Sequence, residues 1–198
     1  MNVNNALLER LLDVIEGNII PLTLEGVKAG NKLFGAALLR KSDLSLVLAE
    51  TNNEIANPLW HGEMHCLKSF YELPKSDRPQ TTDLIFLSTH EPCSLCLSAI
   101  TWAGFDNFFY LFSHEDSRDS FAIPHDLNIL KEVFGLAPGE YRTANAFWRA
   151  HSIRREVSLC EPDQRTILTR QIKRISSLYD DLSKIYQKTK SENDIPLS

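Results

Sequence analysis

His61, Gly62 and Glu63 are consecutive in this chain, and Cys93 and Cys96 follow within Pro92-Cys93-Ser94-Leu95-Cys96. Side chains three apart fall on one face of a helical first turn, so Cys93 and Cys96 can reach a single ion. Pro92 suits the entrance of such a helix, because the amide it lacks would have no helical partner there. The positive end of the helix also favours the thiolate form that zinc requires. His61 and Glu63 are two apart and do not share a helical face. One of them must stand in the cap, and with His61 at the entrance Glu63 falls in the first turn beside the ion. One His and two Cys leave a fourth zinc position for water, which is the pattern of a catalytic site. A structural site would close with a fourth side chain, for which His65 or Cys66 is available. That alternative leaves Glu63 without a task. The chemistry indicated is hydrolysis, in which zinc brings the pKa of water to about 7 and a carboxylate moves the protons.

Both halves of this pattern need a strand or loop that delivers the ligand to a helix entrance. Apolar residues at helical spacing over 5–16 (Leu7, Leu8, Leu11, Leu12, Ile15) predict a first helix with Gly17 as its C-cap. Apolar runs at 34–39 and 44–49, separated by a polar stretch, predict a hairpin. Residues 62–73 predict a helix stopped by Pro74, 84–89 a buried strand, 95–103 a helix closed by Gly104, and 107–112 another strand. Farther on, 124–134 predicts a short helix opened by Pro124, 136–139 is a breaker cluster, and 153–159 alternates like a fifth strand. From Pro162, the residues Leu168, Ile172, Ile175, Tyr179, Leu182 and Tyr186 recur at spacings of four and three, predicting one long amphipathic helix. Its seam packs either on the body of the chain or on a second copy. Alternating strands and helices predict an α/β sheet with helices over its faces.

His-x-Glu followed by Pro-Cys-x-x-Cys, in that order, matches the zinc deaminase signature. Over residues 5–122 the chain resembles the cytidine deaminase-like superfamily, in its purine and pyrimidine base deaminase branch. The segment Glu91-Pro92-Cys93-Ser94-Leu95-Cys96-Leu97-Ser98-Ala99-Ile100-Thr101-Trp102-Ala103 is especially similar to bacterial guanine deaminases. Asn52 and Asn53, with Asn57-Pro58-Leu59-Trp60-His61 after them, resemble that family's substrate-binding asparagine loop. Asp119-Ser120-Phe121 resembles its Asp-Ser-Phe, whose Asp contacts the base; a solvated turn is the other reading of this tripeptide. The sequence departs from the pattern at two places. Gly62 stands where the family usually has Ala, and in this it resembles fungal cytosine deaminases instead. Trp60 replaces a small residue, which narrows the pocket or adds a stacking face.

The resemblance implies a three-layer α/β/α deaminase-like fold with a central five-stranded mixed sheet and a long C-terminal helix. It implies zinc held by His61, Cys93 and Cys96, Glu63 as proton carrier, and Asn52, Asn53, Trp60 and Asp119 at the substrate. Residues 1–160 are then the zinc-dependent deaminase domain, 161–190 the amphipathic helix, and 191–198 a frayed tail. The implied reaction is hydrolytic deamination of a free nucleobase, guanine to xanthine and ammonia. Cytosine deamination and tRNA adenosine deamination are the alternatives. Outside catalysis, a zinc-stabilised binding module or an inactive deaminase-like subunit would use the same ligands but has no use for Glu63.

Hydrophobic residues make up 43% and charged residues 24% of the chain, as in globular proteins. No apolar run is long enough for a membrane span, and the N-terminal residues lack a signal-peptide pattern, so a cytoplasmic protein is expected. Four cysteines are too few for a disulfide scaffold, and Cys66 and Cys160 read as small buried hydrophobes. The net charge of −5 is uneven: residues 1–148 hold 11 Lys and Arg against 19 Asp and Glu, and residues 149–198 hold 10 against 7. The acidic body makes nucleic acid a less expected partner than a small-molecule base. A homodimer is expected.

Overall fold

The computed structural model describes residues 2–137 and 140–197, so Pro138 and Gly139 of the breaker cluster and the last residue of the tail lie outside the described residues. At its centre are β1 (Gly35–Arg40), β2 (Leu46–Thr51), β3 (Leu84–His90), β4 (Asn107–Phe112) and β5 (Arg149–Ser152), in the order β2-β1-β3-β4-β5. The β1 strand runs antiparallel to β2 and β3, whereas β3, β4 and β5 are mutually parallel. The hairpin starts and ends slightly later than the apolar runs suggest, because Leu44 is taken into the turn with φ 60°.

Strand alternation builds a core on each side of the sheet. Ala36, Leu38, Leu84, Phe86 and Phe108 face α3 (Gly62–Glu72) and α4 (Ser94–Trp102), packing with Cys66, Leu67, Phe70 and Ile100. Ala37, Leu39, Ile85, Leu87 and Phe109 face the opposite way, against α1 (Asn5–Val14), α2 (Ile20–Lys28) and α8 (Pro162–Thr189). The result is the three-layer α/β/α arrangement. With helices on both faces, every residue of β3 is buried, which is why it reads in sequence as one apolar run. The α8 seam residues Leu168, Ile172, Ile175, Tyr179, Leu182 and Tyr186 share a cluster with Leu7 and Leu11, so the long helix docks on its own chain. Just past α1, Glu16 Oε2 accepts from Arg174 Nη2 of α8 at 2.7 Å. Among the described residues, no helix is long and apolar enough to cross a membrane.

Three elements differ from the sequence expectation. The first helix does not stop at Gly17: it passes through a π turn at Ile15–Ile19 into α2. Pro21 lacks an amide proton and its ring crowds the carbonyl four residues back, and a widened turn absorbs that conflict without ending the helix. The expected strand at 153–159 is instead α7 (Ile153–Ser158), and the fifth strand lies just before it. Ser152 caps α7 by accepting the amide of Arg155, and Ile153 and Val157, four apart, both face inward. Finally, α5 (His114–Asp119) is too short and polar to leave an apolar period in the sequence; its capping box pairs Ser113 with Asp116. The helix expected near 124–134 is α6 (His125–Phe134).

Candidate active site

His61 is the N-cap of α3, and Cys93 is the N-cap of α4, delivered there by the chain leaving β3. Cys96 follows in the first turn. His61 Nδ1 lies 3.5 Å from Cys93 Sγ and 3.8 Å from Cys96 Sγ. For zinc bonded at about 2.3 Å to sulfur and about 2.0 Å to nitrogen, tetrahedral angles put such atoms roughly 3.5 Å apart, so this donor set fits the ion. Among the described residues, His61, Cys93 and Cys96 are the cluster able to hold a metal. Neither alternative fourth ligand joins them. His65 turns its Nδ1 to the carbonyl of Thr51 at 2.9 Å, and Cys66 is buried in the core under the sheet.

Glu63 is buried beside this cluster. Its Oε1 lies 2.8 Å from Ser88 Oγ, and its Oε2 lies 3.4 Å from Cys96 Sγ. Burial, reinforced by the charge of Cys93, pushes the Glu63 carboxyl above its ordinary range. A carboxyl raised in this way is better suited to taking and returning protons than a solvated one. Cys93 is held well below the usual thiol range by Cys96 and, against the cost of burial, by His61. Cys96 is pushed up by burial and by the neighbouring Cys93. Burial opposes a charged His61, but the Cys93 thiolate outweighs it and raises the imidazole to about 9.

The residues expected at the substrate are placed unequally. Asn52 is buried at the entrance of α3, where its Oδ1 accepts the Gly62 amide and its Nδ2 donates to Glu54 Oε2 at 2.8 Å. The Asn53 amide closes the following loop on the carbonyl of Trp60 at 2.8 Å. Trp60 stacks on His65 with centroids 5.8 Å apart, and Lys68 Nζ lies 5.2 Å from the ring centre, so its ring is engaged along α3. Asp119 is exposed at the end of α5, paired with Arg118 at 2.6 Å and 2.8 Å, and Arg118 lowers its pKa. The structure therefore gathers His61, Glu63, Cys93, Cys96 and Asn52, and gives Trp60 and Asp119 partners outside that group.

Several neighbours of this cluster carry no sequence signal. Asp126, in the first turn of α6, is raised to about 7 by burial and by Cys93, and it also feels His61 and Glu63. Glu54 and Lys32, both buried, pair at 2.7 Å next to Asn52. Glu91 holds the cysteine segment from behind: its Oε2 accepts the His114 amide at 3.1 Å, and Tyr141 donates to its Oε1. Gly62 has a steric reason, because a Cβ there would lie 2.7 Å from the Gly35 Cα of β1. The close approach of α3 to β1 excludes the Ala that the family usually carries.

Residues 20–112 match the model of the cytidine and deoxycytidylate deaminase zinc-binding region. Guanine deaminase of Bacillus subtilis (strain 168) is 31% identical over 128 residues, covering 63% of this chain and 76% of that protein. The X-ray structure of guanine deaminase from Bacillus subtilis superposes with a TM-score of 0.50 at 28% identity, over 73% of this chain and 83% of the other. A mutant of NE0047 in complex with 8-azaguanine, at 16% identity and a TM-score of 0.54, shares the fold over 84% of this chain and 86% of its own. With the matched region spanning both helix entrances and the ligands converging there, the chain belongs to the zinc-binding cytidine and deoxycytidylate deaminase family.

Proposed function

We propose that this protein is a hydrolytic deaminase of a free nucleobase, with guanine, converted to xanthine and ammonia, as the leading substrate. The observation that carries the reading is Glu63, a buried carboxyl raised in pKa and set beside a three-ligand cluster that leaves a zinc position open. A binding module has no use for that carboxyl. The likeness to Bacillus subtilis guanine deaminase favours a purine base over cytosine or tRNA adenosine.

In this mechanism His61, Cys93 and Cys96 would hold zinc, which when bound would supply an activated water and polarise the reacting centre. Glu63 accepts a proton from the attacking water at its carboxylate and passes it to the ring nitrogen. It then carries the proton of the newly added hydroxyl to the departing amine as the carbon–nitrogen bond breaks, so that water is consumed and ammonia released. Ser88 holds Glu63 Oε1 from the side away from Cys96, fixing the direction of transfer. Asn52 and Asn53 are proposed to border the base, and Trp60 to wall its pocket. For the carboxylate that recognises the ring, Asp126 joins Asp119 as a candidate, because it is Asp126 that feels the charges of Cys93, His61 and Glu63. Residues 1–160 carry the chemistry, 161–190 brace them, and 191–198 follow as a tail. A cytoplasmic homodimer completes the reading, and the apolar α4, which ends in the 91% exposed Trp102, supports an uncovered face for a second copy.

The test is ammonia release from guanine, cytosine, adenine, their nucleosides and tRNA by protein carrying stoichiometric zinc. Release from guanine at the highest kcat/KM is expected. Release from none of them overturns catalysis, and preference for cytosine or tRNA overturns the substrate.

A further inference from the structure

A buried ion pair stands directly behind the metal ligands. Lys32 and Glu54 are 5% and 3% exposed, and Lys32 Nζ lies 2.7 Å from Glu54 Oε1. Glu54 Oε2 also accepts the Lys32 amide at 3.3 Å and Asn52 Nδ2 at 2.8 Å. Burying such a pair costs several kcal/mol of hydration per ion, and an apolar pair of similar volume is often as stable or more so. Stability is therefore a poor reason for its presence, and its neighbours suggest a better one. The Nδ1 of His61 faces the two cysteines, while the Nε2 lies 3.8 Å from Glu54 Oε1. An imidazole that gives its Nδ1 lone pair to a metal carries its proton on Nε2, the atom turned toward this carboxylate. Carboxylates in that position orient metal-binding histidines and raise their basicity.

We infer that Glu54, anchored by Lys32, is a positioning residue that sets the His61 ring and the Asn52 amide together, coupling metal binding to the residue proposed to border the base. The inference rests on His61, Cys93 and Cys96 forming the zinc centre. Glu54 fixes two atoms with one carboxylate: the Nε2 side of the ligand, and the Asn52 amide, whose other end accepts the Gly62 amide at the start of α3. Lys32 anchors the carboxylate through its Nζ at 2.7 Å from Oε1 and its backbone amide at 3.3 Å from Oε2.

The test compares wild type with Glu54→Gln and with the double variant Lys32→Met/Glu54→Leu, which replaces the pair by apolar groups and leaves no charge stranded. Zinc affinity is read by chelator competition, the ligand field by the absorption of the Co2+-substituted protein, and folding by thermal unfolding of the metal-free protein. The expected result is zinc binding looser by about 10- to 100-fold and a shifted Co2+ spectrum, in variants whose metal-free unfolding stays close to wild type. Wild-type zinc affinity and an unchanged Co2+ spectrum in either folded variant would overturn the role of Glu54. A wild type that binds no zinc overturns the metal centre itself, so the two failures are distinguishable.

Discussion

Replacing Gly62 by Ala restores the residue usual in this family, yet the structure predicts damage. The new Cβ would lie 2.7 Å from Cα, 2.8 Å from N and 3.0 Å from C of Gly35. Carbon atoms in favourable contact sit about 3.5–4.0 Å apart, so roughly 1 Å must be opened between α3 and β1. All three atoms are backbone in a central strand, and no flexible side chain can swing aside. Overpacking of this kind costs about 1–3 kcal/mol. For a chain of this size each kcal/mol lowers Tm by about 2–4 °C, which predicts a fall of roughly 2–12 °C in the metal-free protein. The displacement falls on the first turn of α3, between His61 and Glu63. A shift of about 1 Å in reacting groups costs on the order of 10²-fold in rate, so kcat/KM should fall by about that factor. Thermal unfolding, chelator competition for zinc and deamination kinetics check the three consequences. A Gly62→Ala protein that melts within about 1 °C of wild type, with unchanged zinc affinity and rate, would refute the reasoning.

Glu63→Gln should lower kcat by about 10²- to 10⁴-fold while zinc stays bound, since the amide cannot shuttle protons; equal turnover by the variant would exclude the proposed proton route. At pH 7 the metal-free site holds a proton on His61, whose pKa is about 9, and one on Cys96, whose thiol is raised by burial and by Cys93, whereas Cys93 is lowered by Cys96 and His61. Zinc must expel both protons, so its affinity should tighten as pH rises, by about a hundredfold per unit between pH 6 and 8. Calorimetry in buffers of different ionisation enthalpy counts the protons, and a count near zero contradicts the pairing. Asp126→Asn should raise KM for the base by at least about tenfold, as loss of a charged hydrogen bond does, and Asp119→Asn by far less; the reverse order of effects, in steady-state kinetics, would move the base contact to Asp119. Ile175→Ala, emptying a fully buried site where α8 meets the body, should cost about 2–5 kcal/mol in denaturant unfolding, and a loss under 1 kcal/mol would mean α8 is loosely held.

The His and two Cys that the fold brings together, and the proposed proton carrier Glu63, were legible from local chemistry. Spacing alone separates His61 from Glu63 and unites Cys93 with Cys96, because helix geometry acts within one turn and needs no distant partner. The same locality made β3, β4 and the α8 seam readable, since each carries an unbroken apolar pattern. Weak or competing patterns failed. A spacing of four between Ile153 and Val157 suits a strand face and a helix face alike, and only the Ser152 cap and the packing of the sheet chose the helix. Gly17 signals a helix end, but burial of Ile15, Ile19 and Ile20 carries the helix past it.

What the amino-acid order determined by itself is which groups are the candidates for metal binding and proton transfer and the elements that open at them. Tertiary structure alone decided what surrounds them. Ser88, Glu54, Lys32 and Asp126 come from separate stretches of the chain, and the burial of the first three and the nearness of Asp126 to the cluster arise only when those stretches pack. The same holds for Gly62, whose necessity lies in Gly35, on a strand that precedes it by a whole hairpin and touches it only in the fold. Electrostatic and steric effects act through space, so the sequence names these residues without revealing which of them meet.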